Sequence, residues 1–297
     1  MQPSVPRLSR TAARLLLVLA ILLTGHAALP ATAMAQPPVL VPVPAPLDRL
    51  GTTTPEVAGP AEAFQSGVLP GQVPPLPEAQ QYMLAVMTDL DRVWTEYFLR
   101  IGLQEPGVTY HVITPGDTTA VSVCVPGGYI PADYNNAFYC DQDYDAATGY
   151  QGKLFLPLQT FVNMWGGSIF GRPSLQAGDF AAATVEAHEF GHHIQAELQA
   201  QLNLPPIQGP GGVRIKEKEL IADCFAGVWA YTAYYSQYLE GTDVEEAVWG
   251  LNTIGDAVAG GTDPHGSPQE RSAAFLLGYN TGKPGDCINN YWPGVRA

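Results

Sequence analysis

The run Val185-Glu186-Ala187-His188-Glu189-Phe190-Gly191-His192-His193-Ile194-Gln195 decides how the rest of the chain is read. On an α-helix, residues four apart share a face, so His188 and His192 can reach one ion. Neutral imidazole nitrogen is a good zinc ligand, at about 2.0–2.1 Å. Glu189 falls beside the open coordination position of such an ion. There it can take a proton from the attacking water and later pass it to a leaving amine. Three fixed residues in five arise by chance in on the order of one chain in a hundred. Here the motif sits inside a long amphipathic pattern, and three of the chain's six histidines lie within six residues. Burying such a cluster is costly unless it has a task.

A catalytic zinc needs a third protein ligand and a vacancy. Glu219-Leu220-Ile221-Ala222-Asp223 offers two carboxylates at i, i+4 on another predicted helix. Glu219 can then meet the metal, while Asp223 accepts from the ring N–H of a ligating histidine and fixes its tautomer. Glu217 is the rival ligand, but helical geometry turns it about 200° from Glu219. The apolar residues Leu220, Ile221 and Ala222 favour burial from Glu219 onward.

Around these two segments the chain reads as one mixed domain over about 78–297, a small sheet followed by packed helices: α+β. Met83, Val86, Met87, Leu90, Trp94, Tyr97, Phe98 and Ile101 recur at helical spacing and predict a helix over about 78–101. Strand-like runs follow at Val108–Ile113, Ala120–Val125 and Lys153–Leu156, with a turn-rich stretch containing Gly127-Gly128 and Asn135-Asn136. Asp179 reads as the N-cap of a helix to about Leu202, stopped by Pro205-Pro206. Further helices are predicted over about Val213–Leu239 and Val244–Val258. A fourth starts on a capping box, with Ser267 as N-cap, Pro268 at N1 and Glu270 at N3.

Upstream, Arg7, Arg10 and Arg14 precede the apolar run Leu15–Leu23, and Ala33-Met34-Ala35 offers a small-x-small cleavage site. Residues 1–35 thus read as a secretory signal peptide, too short in its apolar core for a membrane span; an uncleaved anchor is the alternative. Residues 36–77 are proline-rich and read as an extended, flexible linker. The formal charge of −14 becomes about −17 without the leader's three arginines. So acidic a chain is a poor fit to nucleic acid or an anionic membrane, which reward clustered Lys and Arg. In an exported protein the four cysteines read as disulfides with three possible connectivities. Cys124–Cys140 with Cys224–Cys287 is favoured, because the first pair closes a short loop.

HEFGHHIQ at 188–195, ELIADCFAGVWA at 219–230 and HGSPQER at 265–271 together resemble the bacterial putative neutral zinc metallopeptidase family. Phe138-Tyr139-Cys140 and Cys287 fit the same pattern, and the resemblance spans about 120–292. It implies a zincin-type, gluzincin-like fold in which the sheet's edge strand pairs with an extended peptide substrate. Lys153–Leu156 is the candidate edge strand. One zinc ion held by His188, His192 and Glu219 is then expected, with Glu189 as general base and acid. His265 matches a family motif and is a candidate oxyanion donor.

Other polar residues are weighed beside these. His193 suits packing better than ligation. Arg271 can pair with Asp223, Asp256 or the C-terminal region, and Asp256 suits a cap. His111 lies on a strand-like run and is read as structural. Trp229, Tyr231, Tyr234 and Tyr235 suit either a cleft or a core. The leading reading is an exported zinc-dependent peptidase acting on a peptide or protein. Its rivals are a non-proteolytic envelope factor that keeps the zinc fold and a hydrolase of a non-peptide envelope amide.

Overall fold

The computed structural model describes residues 72–169, 172–173, 176–254 and 264–295. The leader, most of the proline-rich stretch and Asp256 lie outside the described residues. Helix α1, Leu76–Arg100, begins two residues before the predicted start and buries the face its periodicity marks, from Met83 to Phe98. Strands β1 (Tyr110–Ile113), β2 (Phe138–Tyr144) and β3 (Gln151–Pro157) form a sheet in the order β1-β3-β2. β1 runs parallel to β3, and β2 runs antiparallel to it.

Lys153–Leu156 is therefore the middle of the sheet, not its edge. The reason lies in its side chains. Leu154 and Leu156 join the helical core, while Phe155 points to the opposite face and packs with Ile113, Ile130 and Cys140. A strand apolar on both faces needs neighbours on both sides. β1 and β2 are the edges. Ala120–Val125 does not form a strand; only Val121 makes a bridge, to Tyr129, and Ser122 and Val125 close turns onto Gly128. The Cys124–Cys140 disulfide fastens this loop to β2.

The rest is helical: α2 (Leu158–Trp165), a two-residue ladder of β4 (Ser168–Ile169) and β5 (Arg172–Pro173), then α3 (Asp179–Leu202). Gly178, not Asp179, is the N-cap of α3. Asp179 instead turns toward the carboxylates of Asp243 and Glu246. Helix α4, Lys216–Tyr235, is shorter than the predicted 213–239, because Val213 and Ile215 are extended. Then come α5 (Asp243–Ile254), α6 (Pro268–Thr281) and α7 (Pro284–Tyr291), the last unforeseen. The α5 end expected at Val258 lies outside the described residues. Ser267 and Glu270 form the predicted capping box on α6.

Two helices are buried almost all round: α3 from Asp179 through Gly191, and α4 from Glu219 through Ala233. A helix without a wet face belongs to the core, so these two place their polar residues inside the protein for a reason other than solvation. Trp229 on α4 is core, its Nε1–H donating to Asp89 Oδ2 at 2.9 Å. Tyr231 is also buried, and Tyr234 and Tyr235 are exposed. Cys224–Cys287 ties α4 to α7. No helix among the described residues is long and apolar enough to cross a membrane.

Candidate metal centre

Helices α3 and α4 meet at Gly191, the fourth residue of the HExxH run. A Cβ there would lie 2.9 Å from the Ala222 carbonyl oxygen. Glycine lets the two backbones close, and this closure brings Glu219 to the histidines. Glu219 Oε2 lies 3.3 Å from His188 Nε2 and 3.6 Å from His192 Nε2. The three residues each offer one ligand atom, all within 4.8 Å of one another. Tetrahedral zinc with bonds of about 2.0–2.1 Å spaces its ligands about 3.3–3.4 Å apart. The donor set therefore fits zinc in both chemistry and spacing. Glu217 is not part of it.

The other side of each histidine is also held. His188 Nδ1–H donates to Asp223 Oδ1 at 2.7 Å, which leaves Nε2 for a cation. Asp223 accepts two further bonds from Arg271, Nε to Oδ2 and Nη2 to Oδ1, each 2.8 Å, and both residues are buried. Of the three pairings expected for Arg271, the one with Asp223 forms. His192 Nδ1 faces Gln195 Oε1 at 3.5 Å, and Gln195 Nε2–H donates to the Lys218 carbonyl at 2.7 Å. Gln195 thus links one helix's histidine to the other helix's backbone next to Glu219.

The charges follow from this wiring. Burial works against a charge on His188, but Asp223 and then Glu219 outweigh it and hold the imidazole up at about 10. Burial also opposes charge on Glu219 and Asp223. The His192 and His188 imidazoles hold Glu219 well below the usual carboxylate range, and Arg271 with His188 does the same for Asp223. A cation entering here exchanges for the proton on His188.

Glu189 is buried and borders the same cleft. Its Oε2 accepts a hydrogen bond of 2.9 Å from the backbone N–H of Tyr139 on β2. Burial raises its pKa, and the two imidazoles offset only part of that. No sequence signal marks the Tyr139 amide, because a backbone donor can belong to any residue. The cleft encloses about 630 Å³ and is also bordered by Asn135, Asn136, His265 and Arg271. That volume suits a ligand pocket. His265 is thus brought to the site, whereas Trp229, Tyr231, Tyr234 and Tyr235 do not border it.

Residues 65–290 match the model of the family described as putative neutral zinc metallopeptidase. The chain belongs to that family. The uncharacterized protein YpfJ of Escherichia coli (strain K12) is 29% identical over 229 residues, covering 71% of each chain. The uncharacterized protein Rv2575 of Mycobacterium tuberculosis is 35% identical over 173 residues, covering 50% of this chain and 53% of its own. Mb2605 of Mycobacterium bovis, also an uncharacterized protein, matches to the same extent. No solved structure matches. In this neutral zinc metallopeptidase family member, the three sequence blocks that carried the resemblance converge. The first gives His188, Glu189 and His192, the second Glu219 and Asp223, and the third His265 and Arg271.

Three predicted structural roles also take shape. His193 is buried, its Nε2 lying 2.9 Å from the Pro106 carbonyl, away from the donor set. His111 Nε2 pairs with Asp117 Oδ2 at 2.6 Å. Cys224 is joined to Cys287, the favoured pairing. One group was not anticipated. Asp179, Asp243 and Glu246 bring carboxylate oxygens within 4.8 Å of one another, all three buried. Burial first, and then the Asp179 charge, holds Asp243 and Glu246 up at about 7.

Proposed function

We propose that this chain is an exported zinc-dependent metallopeptidase that hydrolyses peptide bonds. The observation that carries the reading is the Glu219 carboxylate, set at zinc-ligand spacing from both histidines with Glu189 alongside in one cleft. His188, His192 and Glu219 hold one zinc ion. Bound there, zinc supplies Lewis-acid polarisation and makes water nucleophilic at neutral pH. Three protein ligands leave the vacancy that catalysis needs and a structural site lacks.

The chain's residues do the rest. Glu189 takes the proton from the attacking water and returns it to the leaving amine. Burial raises its affinity for that proton. Asp223, fixed by Arg271, keeps the His188 Nδ1–H turned away from the metal. His265, bordering the cleft, donates to the oxygen that gains charge. The two disulfides, the leader-like N-terminus and the acidic composition support export. A peptide or protein is the substrate.

The test compares cleavage of a mixed peptide library by zinc-loaded wild type and Glu189→Gln. Cleavage by wild type and loss of about a hundredfold or more in the variant is the outcome this reading requires. Equal cleavage by both, or none by either, returns the chain to a binding or assembly role.

A further inference from the structure

The side chain of Tyr139 lies against a histidine that has no place in the metal reading. His193 follows His192 on α3 and is 1% exposed. Its Nε2 lies 2.9 Å from the carbonyl oxygen of Pro106, which can only accept. Nε2 therefore carries the proton, and Nδ1 is left as an acceptor. The Tyr139 hydroxyl stands 3.5 Å from Nδ1 and is the group that can donate across that long contact. The two rings lie against each other, centroids 5.5 Å apart. Behind the phenol is Gly152 of β3, where a Cβ would run into the hydroxyl. Histidine on one side and a missing side chain on the other give the phenol a fitted seat.

The other end of Tyr139 touches the reaction. Its backbone N–H is the donor to Glu189 Oε2, at 2.9 Å. Oε1 of Glu189 has no hydrogen bond among the described residues, and the residue borders the cleft. One oxygen is tied and the other is presented. The tie depends on where β2 holds the Tyr139 amide. β2 is an edge strand on which Tyr139 stands in register opposite Leu154, and its pairing with β3 becomes irregular only beyond Cys140.

We propose that Tyr139 and His193 are positioning residues for Glu189: the seated phenol fixes the Tyr139 amide, and the amide fixes the carboxylate. The inference rests on Glu189 being the general base. It gives the second histidine of the HHIQ run a role that metal ligation does not supply.

Three variants test it: Tyr139→Phe, which removes only the hydroxyl; His193→Gln; and Gly152→Ala, which crowds the seat. Each is compared with wild type, zinc-loaded, for kcat, KM, zinc content and melting temperature. Selective ¹⁵N-tyrosine labelling follows the Tyr139 amide proton, assigned by its loss in Tyr139→Phe. The proposal expects kcat to fall about tenfold to a hundredfold with KM nearly unchanged, as for a displaced catalytic group. It also expects the acid limb of the kcat/KM profile to move, and the Tyr139 amide resonance to shift in His193→Gln and Gly152→Ala as it does in Glu189→Gln. Zinc content should stay at the wild-type level. Unaltered kcat and pH profile in Tyr139→Phe, with an unmoved amide in the other two, overturns it. Should His193→Gln fail to fold, Tyr139→Phe and Gly152→Ala decide alone. A wild type that cleaves no peptide refutes the peptidase reading instead, and the amide resonance still reports on the tie.

Discussion

Asp223 Oδ1 lies 2.7 Å from His188 Nδ1, and the same carboxylate is gripped twice by Arg271, with all three residues buried. The pair of helices that brings a metal's ligands together thus also carries the groups that aim one of them. The third sequence block is drawn in through Arg271, so the site is wired to α6 as well as to α3 and α4.

That wiring separates two substitutions at one position. Asp223→Asn can still accept from His188 Nδ1–H but no longer offsets the Arg271 charge. Zinc affinity should weaken about tenfold to a hundredfold, read by competition with a chromophoric chelator. Asp223→Ala leaves a buried guanidinium unpaired and should cost about 3–5 kcal/mol in denaturant unfolding. Affinity and stability equal to wild type in both variants would mean the triad is idle.

Gly191→Ala tests the closure between α3 and α4. The new Cβ meets the Ala222 carbonyl at 2.9 Å, against backbone that cannot swing aside. A loss of about 1–3 kcal/mol is expected, as for overpacking elsewhere. The variant should also bind zinc less tightly, because Ala222 is one residue from Asp223 and three from Glu219. Normal zinc binding in a destabilised variant would show that the closure serves packing alone.

The buried acids Asp179, Asp243 and Glu246 predict a pH dependence that owes nothing to zinc. In the folded protein Asp243 and Glu246 hold their protons up to about 7; unfolded, they release them in the ordinary carboxylate range. The folded state binds more protons between those limits, so stability falls as pH rises from about 4 to about 7. Asp179 and Glu240 face the same group, and their charges add to the upward shift. Melting curves across that range should show the decline in wild type and a flatter profile in Asp243→Asn and Glu246→Gln. An identical slope in all three would remove the cluster from the account.

The Cys224–Cys287 bond spans 63 positions and joins α4 to α7. Replacing both cysteines by alanine should lower stability by about 2–4 kcal/mol, by calorimetry or denaturant unfolding. Zinc should bind the variant with wild-type stoichiometry, since neither sulfur is a ligand.

How much of this was legible depends on whether a residue's role is carried by its own side chain. HExxH on a helix, Glu219 with Asp223 one turn later, and the Ser267–Glu270 capping box are side-chain statements at fixed spacing, and the structure brings each together as read. The edge strand was misassigned although its letters carried the warning: Leu154, Phe155 and Leu156 are three apolar residues in a row, the mark of an interior strand. β2 was missed because Asp141 and Asp143 resemble turn residues, while on this edge strand Asp141 faces solvent and Asp143 accepts hydrogen bonds from Ser122 and Val123. Asp179 has the composition of an N-cap but sits one residue inside the helix, drawn into a tertiary cluster that no local pattern announces. The Tyr139 amide could not be seen at all, since every non-proline residue offers the same donor.

The most direct measurement is the anomalous-diffraction structure of the mature protein crystallised with zinc. The account predicts one ion bonded to His188 Nε2, His192 Nε2 and a Glu219 carboxylate oxygen at about 2.0–2.2 Å, with a non-protein ligand in the fourth place beside Glu189. An ion bound elsewhere, or a Glu219 side chain turned from the histidines with no other acid in its stead, would contradict it.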